Sequence, residues 1–253
     1  MRKKIVAGNW KMHKTYKDGI TLIEECISEI ENQKLKGVEV IFCTPFIHLH
    51  KAGKLTSDYK HIHSGAQNCH WEEQGAFTGE TSCAMIESSG ASFVIIGHSE
   101  RRLYFNETHE ELVRKTDAAL MHNLTPIFCC GEPLEVREAN THIELITKQI
   151  TESLFHLSAD AISKVVIAYE PVWAIGTGKT ASTEQAQEMH AHIRKTLAHK
   201  YNLETAESIS ILYGGSCKPS NAKELFSQLD VDGRLIGGAA LQAKDFIAIS
   251  ASF

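Results

Sequence analysis

One feature constrains this 253-residue chain above all others: short β-branched runs alternate with longer amphipathic stretches along its whole length. The runs lie at 4–7, 38–43, 61–66, 93–96, 125–129, 164–169, 209–213 and 234–236. Between them come helical patterns, clearest at 17–30, 107–122, 136–155 and 183–201. In the second of these, Leu112, Ala119 and Leu120 recur at helical spacing, with Glu110, Arg114 and Asp117 between them. Ser182, with Gln185 three residues on, reads as a capping box that opens the last. Strand–helix alternation predicts a parallel sheet covered by helices. Eight such units in this length predict a single-domain α/β fold, a closed (β/α)8 barrel over residues 1–253. An open doubly wound sheet is the alternative topology. No Pro/Gly/Ser linker and no charge block marks a second domain.

Composition removes several classes of function. Lys and Arg number 26 against 31 Asp and Glu, a net charge of −5, so a broad basic field for nucleic acid is not expected. The hydrophobic share of 43% excludes a disordered chain. Seven cysteines are an odd number with no C-x-x-C spacing, which reads as reduced thiols in a cytoplasmic protein rather than a disulfide framework or zinc ribbon. No apolar run approaches the ~18 residues of a spanning helix, so no membrane partner is expected. Arg2, Lys3 and Lys4 lead into only three apolar residues before Gly8-Asn9, short of a signal-peptide core of about 7–15. Asn106-Glu-Thr and Asn123-Leu-Thr match the glycosylation pattern, which carries no meaning in the cytoplasm. The pairs His48/His50, His61/His63 and His190/His192 lack the further ligands a metal needs, so no metal site is expected.

Chemistry on such a barrel gathers at the C-terminal ends of the strands. Strand one ends in Gly8-Asn9-Trp10-Lys11, strand four in Gly97-His98-Ser99-Glu100, strand six in Tyr169-Glu170-Pro171, strand seven in Tyr213-Gly214-Gly215-Ser216 and strand eight in Gly237-Gly238. Glu170 directly follows an apolar run, so desolvation would raise its pKa and make it a stronger base; a surface glutamate is the plainer reading. His98 would be a neutral hydrogen-bond donor if Ser99-Glu100 starts a helix, whose N-terminus disfavours imidazolium; alone it reads as structural. Lys11 would face a developing oxyanion, or be a solvated lysine. Two glycine pairs at successive strand ends suggest a backbone phosphate site; tight turns are the alternative. The stretch 171–179, Pro-Val-Trp-Ala-Ile-Gly-Thr-Gly-Lys, has the stiff apolar body and glycine end of a hinged lid. It is not a P-loop, because Trp173 stands where that motif needs its first glycine.

Taken together, these motifs resemble the triosephosphate isomerase family. Asn-Trp-Lys at 9–11, Gly-His-Ser-Glu-Arg-Arg at 97–102, Ala-Tyr-Glu-Pro-Val-Trp-Ala-Ile-Gly-Thr-Gly-Lys at 168–179, Tyr-Gly-Gly-Ser at 213–216 and Gly-Gly-Ala at 237–239 occur in the family's order across nearly the whole chain. The resemblance implies a TIM barrel that interconverts dihydroxyacetone phosphate and glyceraldehyde 3-phosphate without metal or cofactor. It implies Glu170 as base, His98 as neutral electrophile, and Lys11 with Asn9 at the enediolate. Backbone groups of Gly176, Ser216, Gly237 and Gly238 would hold the phosphate. Glu100 would support Lys11 and His98, Tyr213 and Ser216 would meet the closed lid, and Cys129 would lie close to the site. The run from Gly65 to Glu80 resembles the family's long third loop, which implies a homodimer. Thr78 would approach the partner subunit near its Asn9–Lys11 region, and Glu80 would pair with Arg101 across the interface. Four positions depart from the family pattern: Cys130 for an aliphatic residue, Arg234 for a small or apolar one, His13 for asparagine and Ala240 for serine. None removes a catalytic group, and Cys130 raises the prospect of thiol sensitivity. Other phosphate-binding barrels would share the glycine sites but not this lid with this Glu and His. A silent scaffold would be favoured by a lost base or lysine.

Overall fold

Eight parallel strands close on themselves in chain order. They are β1 (Ile5–Asn9), β2 (Glu39–Thr44), β3 (Ile62–Ala66), β4 (Phe93–Ile96), β5 (Thr125–Glu132), β6 (Val166–Pro171), β7 (Ile211–Tyr213) and β8 (Gly233–Ile236). The computed structural model describes residues 2–175, 180–216 and 219–253. Closure is carried by β1, where Val6 pairs with Val40 of β2 on one side and with Arg234 of β8 on the other. The open-sheet alternative therefore falls away. Side chains that point inward pack the barrel's axis, among them Ile41, Ile95, Ile127, Ala168 and Leu212. The interior is thus a filled core rather than a channel, and chemistry is left to the rims.

Twelve helices are seen among the described residues: α1 (Tyr16–Gln33), α2 (Phe46–Thr56), α3 (Cys83–Ser88), α4 (Ser99–Tyr104), α5 (His109–Met121), α6 (Leu134–Glu138), α7 (His142–Leu154), α8 (Ala159–Ile162), α9 (Thr183–Lys200), α10 (Leu203–Ser208), α11 (Pro219–Phe226) and α12 (Ala243–Ser250). Helix α1 shows why they form where they do. The Thr15 hydroxyl accepts the Asp18 N–H at its start, and Lys34 ends it in the left-handed conformation. Leu22, Ile23, Cys26, Ile27 and Ile30 make the buried stripe between. The capping box at Ser182 and Gln185 is present and opens α9.

Several boundaries differ from the periodicity. The pattern over 136–155 holds two helices, because Asn140 turns left-handed at φ 57° and breaks the ladder between α6 and α7. The pattern over 107–122 begins later, at a capping box in which the Thr108 and Glu111 side chains satisfy each other's backbone N–H. Strands six and seven begin two residues later than their apolar runs. Val165 donates to Ile162 in the preceding turn, and Ile209 to Ala206. Among the described residues no helix is long and apolar enough to cross a membrane.

Candidate active site

The ends of β1, β4, β6, β7 and β8 line one cavity of about 310 Å³. Asn9, Lys11, His98 and Glu170 line it together with Gly214–Ser216 and Gly237–Ala239. Residues as far apart in the chain as Asn9 and Ala239 meet there only because the barrel closes.

Glu170 is 1% exposed and tightly held. One carboxylate oxygen accepts the Ser99 N–H at 2.9 Å, and the other lies 2.9 Å from His98 Nε2. Burial pushes its carboxyl up, as the apolar run implied. The His98 ring, the Ser99 N–H and Lys11 outweigh that push, and the pKa lies below the ordinary carboxylate value. The expected rise is therefore reversed. A buried carboxylate with partners behaves unlike one facing bare apolar surface.

His98 caps α4. Its Nδ1 accepts the Glu100 N–H at 3.2 Å, so Nε2 carries the proton that points at Glu170. Burial works against imidazolium, but the Glu170 and Glu100 carboxylates prevail and raise the pKa. The neutral ring expected from the sequence is thus opposed, in this arrangement, by the neighbouring Glu170. The Nδ1 contact is one that only the unprotonated nitrogen can make.

Lys11 adopts the left-handed conformation at φ 52°, rare for a side chain of its kind, and its own N–H bonds to the Asn9 side chain at 3.0 Å. This turn aims the ammonium across the mouth to Glu100, 2.7 Å away. Glu100 also lies 3.6 Å from His98 Nδ1, so it does stand beside both groups as the family resemblance implies. The stem of Lys11 passes Gly237, where a methyl group would stand 3.6 Å from Lys11 Cε.

The glycines of these strand ends are close-packed against Glu170. A methyl at Gly214 would lie 2.9 Å from Glu170 Cγ, and one at Gly131 would lie 2.1 Å from the Glu170 carbonyl oxygen. Gly237 leads into a 3₁₀ turn at Gly238–Leu241. The Ser216 hydroxyl donates to the Ala174 carbonyl at 2.6 Å, linking strand seven's loop to the first turn of the lid segment. Gly176, with residues 177–179, lies outside the described residues.

Two expected residues, Cys129 and Tyr213, are not among those that line the cavity. Cys129 is wholly buried among the inward-facing barrel residues, and its carbonyl accepts from Arg102 at 2.9 Å. Tyr213 is buried beneath the strand-seven loop; a methyl at Gly215 would come 2.2 Å from its hydroxyl oxygen. Thr78 and Glu80 are exposed on the long loop. Arg101 pairs at 2.5 Å with Glu107 of its own chain, whose same oxygen also takes buried Lys115. Of the departures, Cys130 is 1% exposed and its thiol is pushed up to about 12, so it offers no thiolate at neutral pH. Among the described residues no group of three or more His, Cys, Asp or Glu is placed to hold a metal.

The sequence did not point to three supports of the site. Gln149 on α7 grips Gly131 through two bonds of 2.9 Å, fixing the strand beside Glu170. Arg102 ties the Gly97 and Cys129 carbonyls together beneath His98. Buried Glu132 accepts from Tyr169 at 2.9 Å and from Trp173 at 3.0 Å at the start of the lid segment. Arg102 belongs to the Gly-His-Ser-Glu-Arg-Arg motif and Glu132 closes the Cys-x-Gly-Glu stretch at 129–132, but Gln149 has no signal beyond being polar in apolar surroundings.

Comparison with known proteins agrees with this geometry. The family model described as triosephosphate isomerase matches residues 4–253. Curated relatives named triosephosphate isomerase include one from Bacteroides fragilis, 58% identical, and one from Cytophaga hutchinsonii, 54% identical, both over all 253 residues and the whole of either chain. A third, from Flavobacterium johnsoniae, is 51% identical over 98% of each chain. The chain belongs to the triosephosphate isomerase family.

Proposed function

We propose that the chain interconverts dihydroxyacetone phosphate and D-glyceraldehyde 3-phosphate through an enediolate, as a step of glycolysis and gluconeogenesis, with Glu170, His98 and Lys11 as its catalytic groups. The observation that carries this reading is their convergence on one cavity that two glycine-rich loops also line. In this structure the Glu170 carboxylate is held by the Ser99 N–H and His98. To take a proton from the carbon beside the carbonyl it must turn away from them into the cavity. That movement also removes the strongest influence favouring imidazolium on His98. Burial and the Glu100 N–H on Nδ1 then leave a neutral ring whose Nε2–H faces the substrate oxygens. Such a ring polarises the carbonyl and passes protons between the two oxygens, while Glu170 returns its proton to the neighbouring carbon. Lys11, held by Glu100, places its charge where the enediolate oxygen becomes negative. Asn9 fixes the turn that aims Lys11.

Backbone N–H groups of Ser216, Gly237 and Gly238 supply the phosphate cradle, with Gly176 from the lid. A phosphate beside an enediolate is a leaving group, so the lid must keep water out while the intermediate lasts. The Ser216–Ala174 bond supports a lid that answers to the phosphate loop. The same reading makes the protein a cytoplasmic homodimer joined through the loop that carries Thr78 and Glu80, with Arg101 at its rim. Met12, Phe77 and Met85, in and after the loops beyond β1 and β3, are 94%, 44% and 55% exposed, an apolar surface that a partner would cover.

The test is turnover of glyceraldehyde 3-phosphate by the purified protein, without added metal or cofactor, coupled to reduction of the ketone product. Fast conversion is expected, with Glu170→Ala lowering kcat by several orders of magnitude while inorganic phosphate still binds. A folded wild-type chain with no conversion overturns the reading. Near-normal turnover in Glu170→Ala overturns the assigned base. Light scattering at micromolar concentration should give a dimer, and a monomer ends the interface proposal.

A further inference from the structure

Arg234 is one of the departures from the family pattern that the functional reading leaves without a role. It is 0% exposed on β8, and its register partner is Tyr213 on β7. The guanidinium lies 5.2 Å from the Tyr213 ring centroid and 5.6 Å from that of Phe226 on α11, so the cation sits between two aromatic rings. Above this layer, the Tyr213 hydroxyl fills the space where a Gly215 side chain would be: a methyl carbon there would stand 2.2 Å from the oxygen. The course of the loop through Gly215 and Ser216 is therefore set by where the tyrosine ring rests. Ser216 in turn bonds to Ala174 at the head of the lid.

We propose that Arg234 is a positioning residue for the anion cradle: by fixing the Tyr213 ring from below, it sets the height of the Gly215–Ser216 loop against the phosphate. This deepens the functional reading above and rests on it. The chemistry suits an arginine. A planar, weakly hydrated guanidinium lies flat against aromatic faces in a dry layer, where an ammonium would keep its demand for water. A small side chain at this place would leave Tyr213 room to drop toward α11, and the loop would follow.

The experiment uses the full chain with Arg234→Met, which keeps length and apolar contact, and Arg234→Lys, which keeps charge. Three quantities are read: KM for glyceraldehyde 3-phosphate, kcat, and the inhibition constant of inorganic phosphate. Arg234→Met should raise KM and the phosphate constant together, roughly threefold to thirtyfold, the span from an exposed to a desolvated cation–π contact. Its kcat should stay within about twofold, since Glu170 lies on β6 and His98 at the cap of α4, neither of them on β8. Arg234→Lys should recover part of the loss in both constants. A merely structural residue would lower the melting temperature and the active fraction while leaving KM of the folded molecules unchanged. Unchanged KM and phosphate affinity in folded Arg234→Met overturn the proposal, as does a fall in kcat alone. If Arg234→Met does not fold, Arg234→Lys decides, and a folded lysine variant with wild-type constants counts against the proposal. Wild-type protein that neither turns over the triose phosphate nor is inhibited by phosphate would instead overturn the functional reading itself.

Discussion

Replacing Gly131 by alanine probes how closely the base is placed. Gly131 stands opposite Glu170 in the β5–β6 register. Its new methyl would meet the Glu170 carbonyl oxygen at 2.1 Å and the Glu170 Cβ at 2.9 Å. Close carbon–oxygen contacts settle near 3.3 Å, so the shortfall is about 1.2 Å. Gly131 cannot retreat freely, because Gln149 holds both its N–H and its carbonyl at 2.9 Å. The relief must come largely from β6, which shifts by about 1 Å where it carries Glu170. A displacement of that size in a reacting group costs on the order of 100-fold in rate, equivalent to about 2.7 kcal/mol of barrier. The proposed phosphate cradle lies in the loops after β7 and β8, so KM should move less, by about threefold or under. Overpacking would also cost about 1–3 kcal/mol of stability, which an ordinary domain survives. Steady-state kinetics in the coupled assay, with a thermal melt to confirm folding, give both numbers. A folded Gly131→Ala enzyme with kcat within about threefold of wild type would refute the argument that this strand contact sets the base.

Further outcomes follow from other parts of the structure. Arg194, 4% exposed, pairs with Asp230 at 2.6 Å and Asp232 at 2.8 Å and donates to the Ala206 and Ile209 carbonyls. Arg194→Met should lose about 3–5 kcal/mol in urea unfolding, and a loss below about 1 kcal/mol would contradict the view of this cluster as a buried ion pair broken on one side. For the His98–Glu170 pair the signs are opposed. Glu170 lies below its ordinary 4.5, so its contribution is present above that pH and lost as pH falls through the folded value. His98 lies above its ordinary 6.5, so its contribution is complete below that pH and lost as pH rises through the folded value. Glu170→Gln should therefore cost most stability between these two values, about 1.5–3 kcal/mol, with the gap narrowing on either side; a gap constant with pH would show that the pair is not ionised. Cys43 and Cys130 are both buried with thiols pushed up to about 12, so their peptides should stay unlabelled by a thiol reagent at neutral pH until the protein is unfolded. Labelling of the native fold at either position would show that this burial is not maintained in solution.

Much of the site was readable because local motifs specify local turns. Glycine at 214 and 237 and the His-Ser-Glu start of α4 announce backbone shapes that a short sequence can dictate. Helix ends were less readable where a single residue decides them, as Asn140 does between α6 and α7. The charge states were not readable at all. Desolvation of Glu170 follows from its apolar run, but the partners that reverse its effect come from β4 and β1.

The sequence by itself determined the eight-fold alternation, the glycine-rich strand ends and the identity of the groups that gather at the mouth. These depend on periodicity and on backbone preferences, which act within a few residues. The closed structure alone decided that Gln149 grips Gly131, that Glu170 is held by Ser99 and His98, and that Arg234 lies between Tyr213 and Phe226. Each joins residues that chain order keeps apart. The energy of each depends on burial and on distances of a few ångströms, which exist only once the barrel has closed.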